Sequence, residues 1–320
     1  MDKLSVAVLD DYQNVARQFA DWDSLKAQVV VFHDAFPDAE TVVGKLAEFD
    51  VVVAMRERTR FPAEVLRRLK RLKLLITTGP ANAAIDVPVA AELGITVCGT
   101  DYPFISSTPE LTWGLILASL RNIPAETQLV RDGGWQMSVG SDLEGKTLGL
   151  LGLGNSGSRV ARVGQAFNME TIAWSENLTP EKAAKLGVTA VSKEELFTRS
   201  DVLSIHVILS KRTRGLVGAR ELSSMKPSAL LVNTSRGPIV DEDALIHVLR
   251  ERKIAGAALD VFDIEPLPTG HPLRTLDNVL ATPHIGYVTQ GMYKTFYEQA
   301  VEDIAAFAAG KPIRVIQARA

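Results

Sequence analysis

The chain has 320 residues, 46% of them hydrophobic and 23% charged, with 35 Lys and Arg against 38 Asp and Glu for a formal net charge of -3. That length exceeds a comfortable single core and predicts two domains. The near-balanced surface speaks against a nucleic-acid or polybasic-membrane partner. The lone Cys98 excludes an intrachain disulfide and reads as buried packing. Asp10 and Asp11 interrupt the apolar run a signal peptide needs, and "LILASL" is far too short to span a bilayer, so a soluble cytoplasmic protein is expected.

In chain order, "LSVAVLD", "VVVFHD", "VVVAMRE", "LKLLITTG" and "ITVCGT" read as five strands, with helices such as "PAEVLRRLKR" and "VPVAAELG" between them. The pattern predicts a compact α/β unit ending near Asp101. In "SSTPELTWGLILASLRNI", Thr108 reads as a cap, Pro109 suits the first helical position, and Ser107 with Glu110 has capping-box spacing. That helix is apolar on most sides and is expected to be buried; "RDGGWQM" after it reads as irregular. A second α/β unit opens at Lys146 with "TLGLLGL", "ETIAWS", "DVLSIHV", "ALLVNT", "AGAALDV" and "NVLATPH", the six strands of a dinucleotide-binding fold. The closing segment "GMYKTFYEQAVEDIAAFAAG" is a long amphipathic helix expected to return to the first unit. The fold class is therefore α/β in two domains. A Rossmann dinucleotide-binding domain, 104–288, is inserted in a discontinuous flavodoxin-like domain built from 1–103 and 289–320.

Gly152, Gly154 and Gly157 in "LLGLGNSGSRV" form G-x-G-x-x-G between an apolar strand and a helix. The first glycine allows the tight turn, the second lets backbone approach a pyrophosphate, and the third allows close helix–strand packing. The helix start that follows, with Asn155 and Ser156, offers unpaired N–H groups to phosphates. At the end of the next strand, "AWSENLT" places Ser175 where an acidic ribose ligand is usual and Glu176 one position later, with no arginine nearby for a 2′-phosphate. NAD is favoured over NADP on that ground. His206 ends the third strand of this unit and is a candidate for the adenine side; His33 and His271 fall in loops without an evident partner, and His247 lies on a helix. No cluster has metal-ligand spacing.

Ligands of open α/β sheets bind outside the carboxyl ends of the strands. There "ALLVNT" is followed by Ser235 and Arg236, "AGAALDV" carries Asp260 and leads to Glu265, and "NVLATPH" ends in His284. An arginine, a carboxylate and a histidine leaving one sheet edge suit reduction of a 2-keto acid. A histidine donates the proton, a carboxylate orients it, and a guanidinium holds and polarises the substrate. Thr234 and Gly286 join the expected cofactor set, and Asp260 is expected to face the nicotinamide.

"GLGNSG", "NTSRGPIVDEDAL", "AGAALDVFDIEPLP" and "TPHIGY", in that order, resemble the D-isomer-specific 2-hydroxyacid dehydrogenase family. The resemblance implies Arg236, Glu265 and His284 as the catalytic set and Asp260 at the nicotinamide. It also implies a first domain that closes substrate onto the cofactor, and a homodimer through the cofactor domain. In such proteins the loop after the fourth strand offers backbone N–H groups to a carboxylate. Here it reads "TTGPANAAID", with Ala81 at a frequent glycine position and Pro80 lacking a donor. Gly79, Ala81 and Asn82 are the candidates, with Arg56 as a further substrate ligand and Tyr287 at a position often held by a smaller residue. The rival readings are an NAD(H)-sensing corepressor-like binding protein and a formate- or phosphite-type dehydrogenase on the same scaffold.

Overall fold

The structure is a computed structural model that describes residues 3–317. The chain forms two compact units, one of residues up to Phe104 together with those from Val288 onward, the other of Ile105–Tyr287.

In the first unit, β1 (Leu4–Val8), β2 (Ala27–Val31), β3 (Val51–Ala54), β4 (Leu74–Thr77) and β5 (Thr96–Gly99) make a parallel sheet in the order β2-β1-β3-β4-β5. This is the flavodoxin-like order. Parallel strands need crossovers that cover both faces, so they read as unbroken apolar runs, and every residue of β3 and β4 is buried. Ala7, Leu9, Val52, Ala54, Leu75 and Val97 pack on one face with Val42, Leu46, Val65 and Ala90 from the crossover helices. The helix Gln290–Ala308 belongs to this unit, and its Tyr297 meets Trp22 edge-on with ring centroids 6.1 Å apart. Val315 pairs antiparallel to Cys98, and Ile316 N–H donates to Val97 O at 2.8 Å, which covers the outer edge of β5. Cys98 is fully buried, and burial pushes its thiol up to about 12.

The second unit holds β6 (Thr147–Leu151), β7 (Glu170–Trp174), β8 (Thr189–Ala190), β9 (Val202–Ile205), β10 (Leu230–Asn233), β11 (Gly256–Leu259) and β12 (Val279–Ala281). Their order is β12-β11-β10-β9-β6-β7-β8, a Rossmann sheet whose direction of growth reverses between β6 and β9. The seventh strand, β8, was not among the six expected, because two residues carry no readable period. Alternation sorts the strands onto two cores: Leu148, Leu150, Val202, Val232 and Ala258 on one face, Leu151, Leu203, Ile205, Leu231 and Leu259 on the other.

The buried helix starts at Ser107 rather than after a Thr108 cap. Ser106 occupies the N-cap without a side-chain bond. Thr108 lies inside the first turn, where its hydroxyl donates to Gly286 O at 3.3 Å. Asn122, at φ 50°, ends that helix region and starts a second, Ile123–Arg131, which apolar periodicity alone did not separate. Among the described residues no helix is long and apolar enough to cross a membrane.

Candidate active site

Each glycine of the phosphate-cradle motif has a distinct physical reason. Gly152 has φ 101°, and a Cβ there would lie 2.8 Å from His206 O. A Cβ on Gly157 would lie 2.1 Å from Gly152 O, so only glycine lets the helix Asn155–Ala166 approach β6 this closely. Gly154 is different: it is exposed, and a Cβ would meet nothing within 4 Å. No protein atom opposes a side chain there, so the backbone is open to close approach. Gly154 is also the N-cap of that helix and provides no side-chain cap. The first-turn N–H groups, including those of Asn155 and Ser156, are thus oriented toward an anion. The cradle fits a dinucleotide pyrophosphate.

Ser175 follows β7 directly and is half-buried, while Glu176 is exposed. His206 is brought against the glycines: a Cβ at Gly157 would stand 3.4 Å from its Cβ. Its Nε2 bonds Ser204 Oγ at 2.8 Å, and burial lowers its pKa to about 4, so the ring is neutral near pH 7.

Three loops leave β10, β11 and β12. Arg236 follows β10, where its carbonyl accepts from Asn233 Nδ2 at 3.0 Å and its guanidinium donates to Ser235 O at 2.8 Å. Next to it, a Cβ on Gly237 would sit 2.1 Å from the carbonyl carbon of Phe262. Glycine therefore permits the Arg236 loop to lie directly on the loop that carries Glu265. Glu265 Oε1 accepts from Phe262 N at 2.9 Å, which turns the carboxylate back over its own loop, and Oε2 meets His284 Nδ1 at 2.6 Å. Both side chains are only partly exposed, at 32% and 20%. Nδ1–H donates to the carboxylate, so the imidazole presents Nε2, which bonds no described residue. His284 itself adopts φ 53°, and Tyr287, 4% exposed, packs edge-on to its ring at 5.5 Å between centroids.

The turn bearing His284 is held by Asp260. This residue is fully buried at the end of β11. Oδ1 accepts from Thr282 Oγ1 at 2.6 Å and Ile285 N at 2.8 Å, and Oδ2 accepts from Gly286 N at 2.8 Å. Burial pushes the carboxyl up, opposed by those hydrogen bonds and by the His284 charge. Asp260 and Gly286, both expected at the cofactor, are bonded to each other within the fold. The Asp260 carboxylate serves the His284 turn, and Gly286 directs its N–H to Asp260 and its carbonyl to Thr108. Thr234, also expected in the cofactor set, has its hydroxyl buried against Thr112 Oγ1 at 2.8 Å, tying the helix Ser107–Leu120 to β10. These partners went unread because each lies far away in sequence. Asn233, Thr282 and Gly237 are further residues that composition and period left unmarked.

In the five-stranded unit, Arg56 has φ 53°. Its guanidinium donates to Thr78 O at 3.1 Å, lies 5.4 Å from the Tyr102 ring centroid, and fills the space a Cβ on Gly79 would need. Gly79 N–H donates to Thr100 Oγ1 at 2.7 Å, which removes it from the expected carboxylate donors. Asn82 is buried, with Nδ2 on Arg56 O (2.6 Å) and Thr77 Oγ1 (2.9 Å) and Oδ1 on Ala84 N (2.8 Å). Its side chain is a brace, leaving only its backbone as a ligand. Ala81 is exposed. His271, expected to lack a partner, meets Glu242 Oε1 at 3.1 Å. Among the described residues no group of His, Cys, Asp or Glu could hold a metal ion.

Residues 113–286 match the family described as D-isomer specific 2-hydroxyacid dehydrogenase, NAD binding domain. The seven-stranded unit is accordingly an NAD-binding domain. Among curated relatives, a glyoxylate reductase of Aeropyrum pernix is 41% identical over 284 residues, 86% of this chain and 84% of that protein. A D-3-phosphoglycerate dehydrogenase of Methanocaldococcus jannaschii is 40% identical over 258 residues, 80% of this chain, which spans only 49% of that longer protein. The crystal structure of a phosphoglycerate oxidoreductase from Vibrio cholerae O395 superposes with a TM-score of 0.91 at 38% identity, covering 96% of this chain and 99% of that one.

Proposed function

Because the chain belongs to the D-isomer-specific 2-hydroxyacid dehydrogenase family, an NAD-linked hydroxyacid oxidoreductase family, we propose that it interconverts a small 2-keto acid and the D-2-hydroxy acid. His284 is the proton donor and acceptor, Glu265 its orienting partner and Arg236 the substrate cation. The observation that carries this reading is the 2.6 Å bond between His284 Nδ1 and Glu265 Oε2, which leaves Nε2 as the reactive nitrogen. In the direction of reduction, Nε2–H protonates the carbonyl oxygen as it becomes an alkoxide. The Glu265 carboxylate, bonded to Nδ1–H, fixes the ring plane and leaves Nε2 to carry the transferred proton. Arg236 pairs with the substrate carboxylate and polarises the carbonyl through charge-assisted hydrogen bonds. When bound, the reduced nicotinamide supplies the hydride. Oxidation runs the same proton in reverse.

The cofactor's pyrophosphate is assigned to Gly154, Asn155, Ser156 and Gly157, its ribose to Ser175 and Glu176, and its adenine side to His206. In the five-stranded unit, the Ala81 and Asn82 amides and Arg56 are the proposed carboxylate-binding groups. Tyr287, packed beside His284, favours a substrate with a short side chain, as in the glyoxylate reductase relative. Val130, Trp135, Met137 and Val139 of the NAD-binding unit are 56–97% exposed, which supports a homodimer through that unit.

The test is loss of nicotinamide absorbance with NADH and NADPH separately, against glyoxylate, hydroxypyruvate, pyruvate and bulkier 2-keto acids. The expected outcome is turnover with NADH, fastest for the smallest substrates. Silence across the panel, with NADH bound, would transfer the reading to a non-enzymatic NAD(H) sensor.

A further inference from the structure

We infer, on the reading of Glu265 and His284 as the acid–base couple, that Glu242 is a positioning residue for that couple, acting through the loop Phe262–Glu265, with His271 holding its carboxylate. Glu242 is the first residue of the helix Glu242–Arg250. Its Oε2 accepts from Asp263 N at 3.3 Å, and its Oε1 meets His271 Nε2 at 3.1 Å. His271 Nδ1 accepts from Leu273 N at 3.4 Å, so the ring proton sits on Nε2 and points at Glu242. Glu242 and His271 are 20% and 17% exposed, so the pair is largely withdrawn from water.

Two successive amides of one loop are thus gripped by two carboxylates. Phe262 N–H goes to Glu265, and Asp263 N–H goes to Glu242. On its other side the loop lies against Gly237 with no room for a Cβ. The loop has little freedom, and Glu265 inherits its position from it. Glu242 also stands among like charges: burial, then Glu242, then Asp241 and Asp243 push the Asp263 carboxyl up, with Arg214 opposing. Helix-end stabilisation alone is already served by the neighbouring Asp243. Glu242 is distinguished by its two fixed hydrogen bonds, and those bonds connect the catalytic loop to the segment that carries His271.

The decisive experiment uses the full chain with 15N-labelled histidine. The proton between His284 Nδ1 and Glu265 gives a downfield proton resonance, identified as the one lost in Glu265→Gln. In Glu242→Ala this resonance shifts or broadens, and kcat falls about tenfold, since sub-ångström misplacement of a catalytic group is enough for such a loss. KM and the NADH dissociation constant stay within about twofold of wild type. Glu242→Gln, which retains a carbonyl acceptor for Asp263 N–H, recovers most of both signals. Asp243→Ala, which removes an acid from the same helix turn, leaves them unchanged. An unaltered resonance in Glu242→Ala, or an equal change in Asp243→Ala, overturns the positioning role. A wild-type chain that turns over no 2-keto acid counts against the proposed reaction, and the resonance then still decides the role of Glu242. A wild-type chain without any Glu265-dependent resonance overturns the couple and the positioning role together.

Discussion

Two sheets of the same doubly wound type use their carboxyl ends in opposite ways. At the five-stranded sheet, the polar groups are engaged with one another. Asp10, 2% exposed, receives Thr59 Oγ1 at 2.9 Å and Tyr12 OH at 3.2 Å, and Arg58 donates to Asp10 O at 2.7 Å. Asp11 accepts from Val15 N and Ala16 N, and Asn82 fills three hydrogen bonds. At the seven-stranded sheet, the buried Asp260 and Asn233 and the half-buried Thr282 serve as braces, and what they brace is the loops of Arg236 and His284. A strand end can serve chemistry when one layer of polar residues satisfies the backbone and a second layer is carried on the loops it braces.

The contrast predicts that substitutions in the two regions fail differently. The largest effect is expected at His284→Ala, which should lower kcat/KM for keto-acid reduction by about 10³-fold, roughly 4 kcal/mol. NADH affinity, read by nicotinamide fluorescence, should hardly change. A parallel loss of cofactor binding would remove His284 from the role of proton donor. Asn82→Ala, on the five-stranded side, should cost stability instead, about 2–3 kcal/mol in denaturant unfolding, because Ala84 N and Thr77 Oγ1 lose partners in a buried site. Retained stability with lost turnover would mean that Asn82 acts on substrate and that the contrast is wrong.

Gly154→Ala sharpens the comparison within the NAD-binding unit. No protein atom opposes the added methyl, so the melting temperature should hold while NADH binding weakens about tenfold through lost pyrophosphate approach. Weakened folding with unchanged affinity would place the ligand elsewhere. Gly157→Ala, against Gly152 O, serves as the control that should damage both. The smallest effect is expected for Ser175→Asp, a several-fold shift in the NADH to NADPH preference measured as a ratio of kcat/KM values. A constant ratio would mean that Ser175 does not face the ribose.

Hydrophobic period and turn residues by themselves determined much of this protein. Unbroken apolar runs between helices required parallel, doubly covered sheets, and both sheets follow. The spacing of Gly152, Gly154 and Gly157 after such a run already specified a dinucleotide cradle. Arg236, Glu265 and His284 were marked by their places just past strand ends, since strand direction alone puts them on one edge. Tertiary structure decided where each polar group finds its partner. Asp260 meets Gly286 across 26 residues of sequence, Glu242 meets His271 across 29, and Thr234 meets Thr112 across 122. Period and propensity are properties of neighbours along the chain. A buried hydrogen bond depends on which distant donor the packed core brings within about 3 Å, and that separated the residues that brace from those proposed to act.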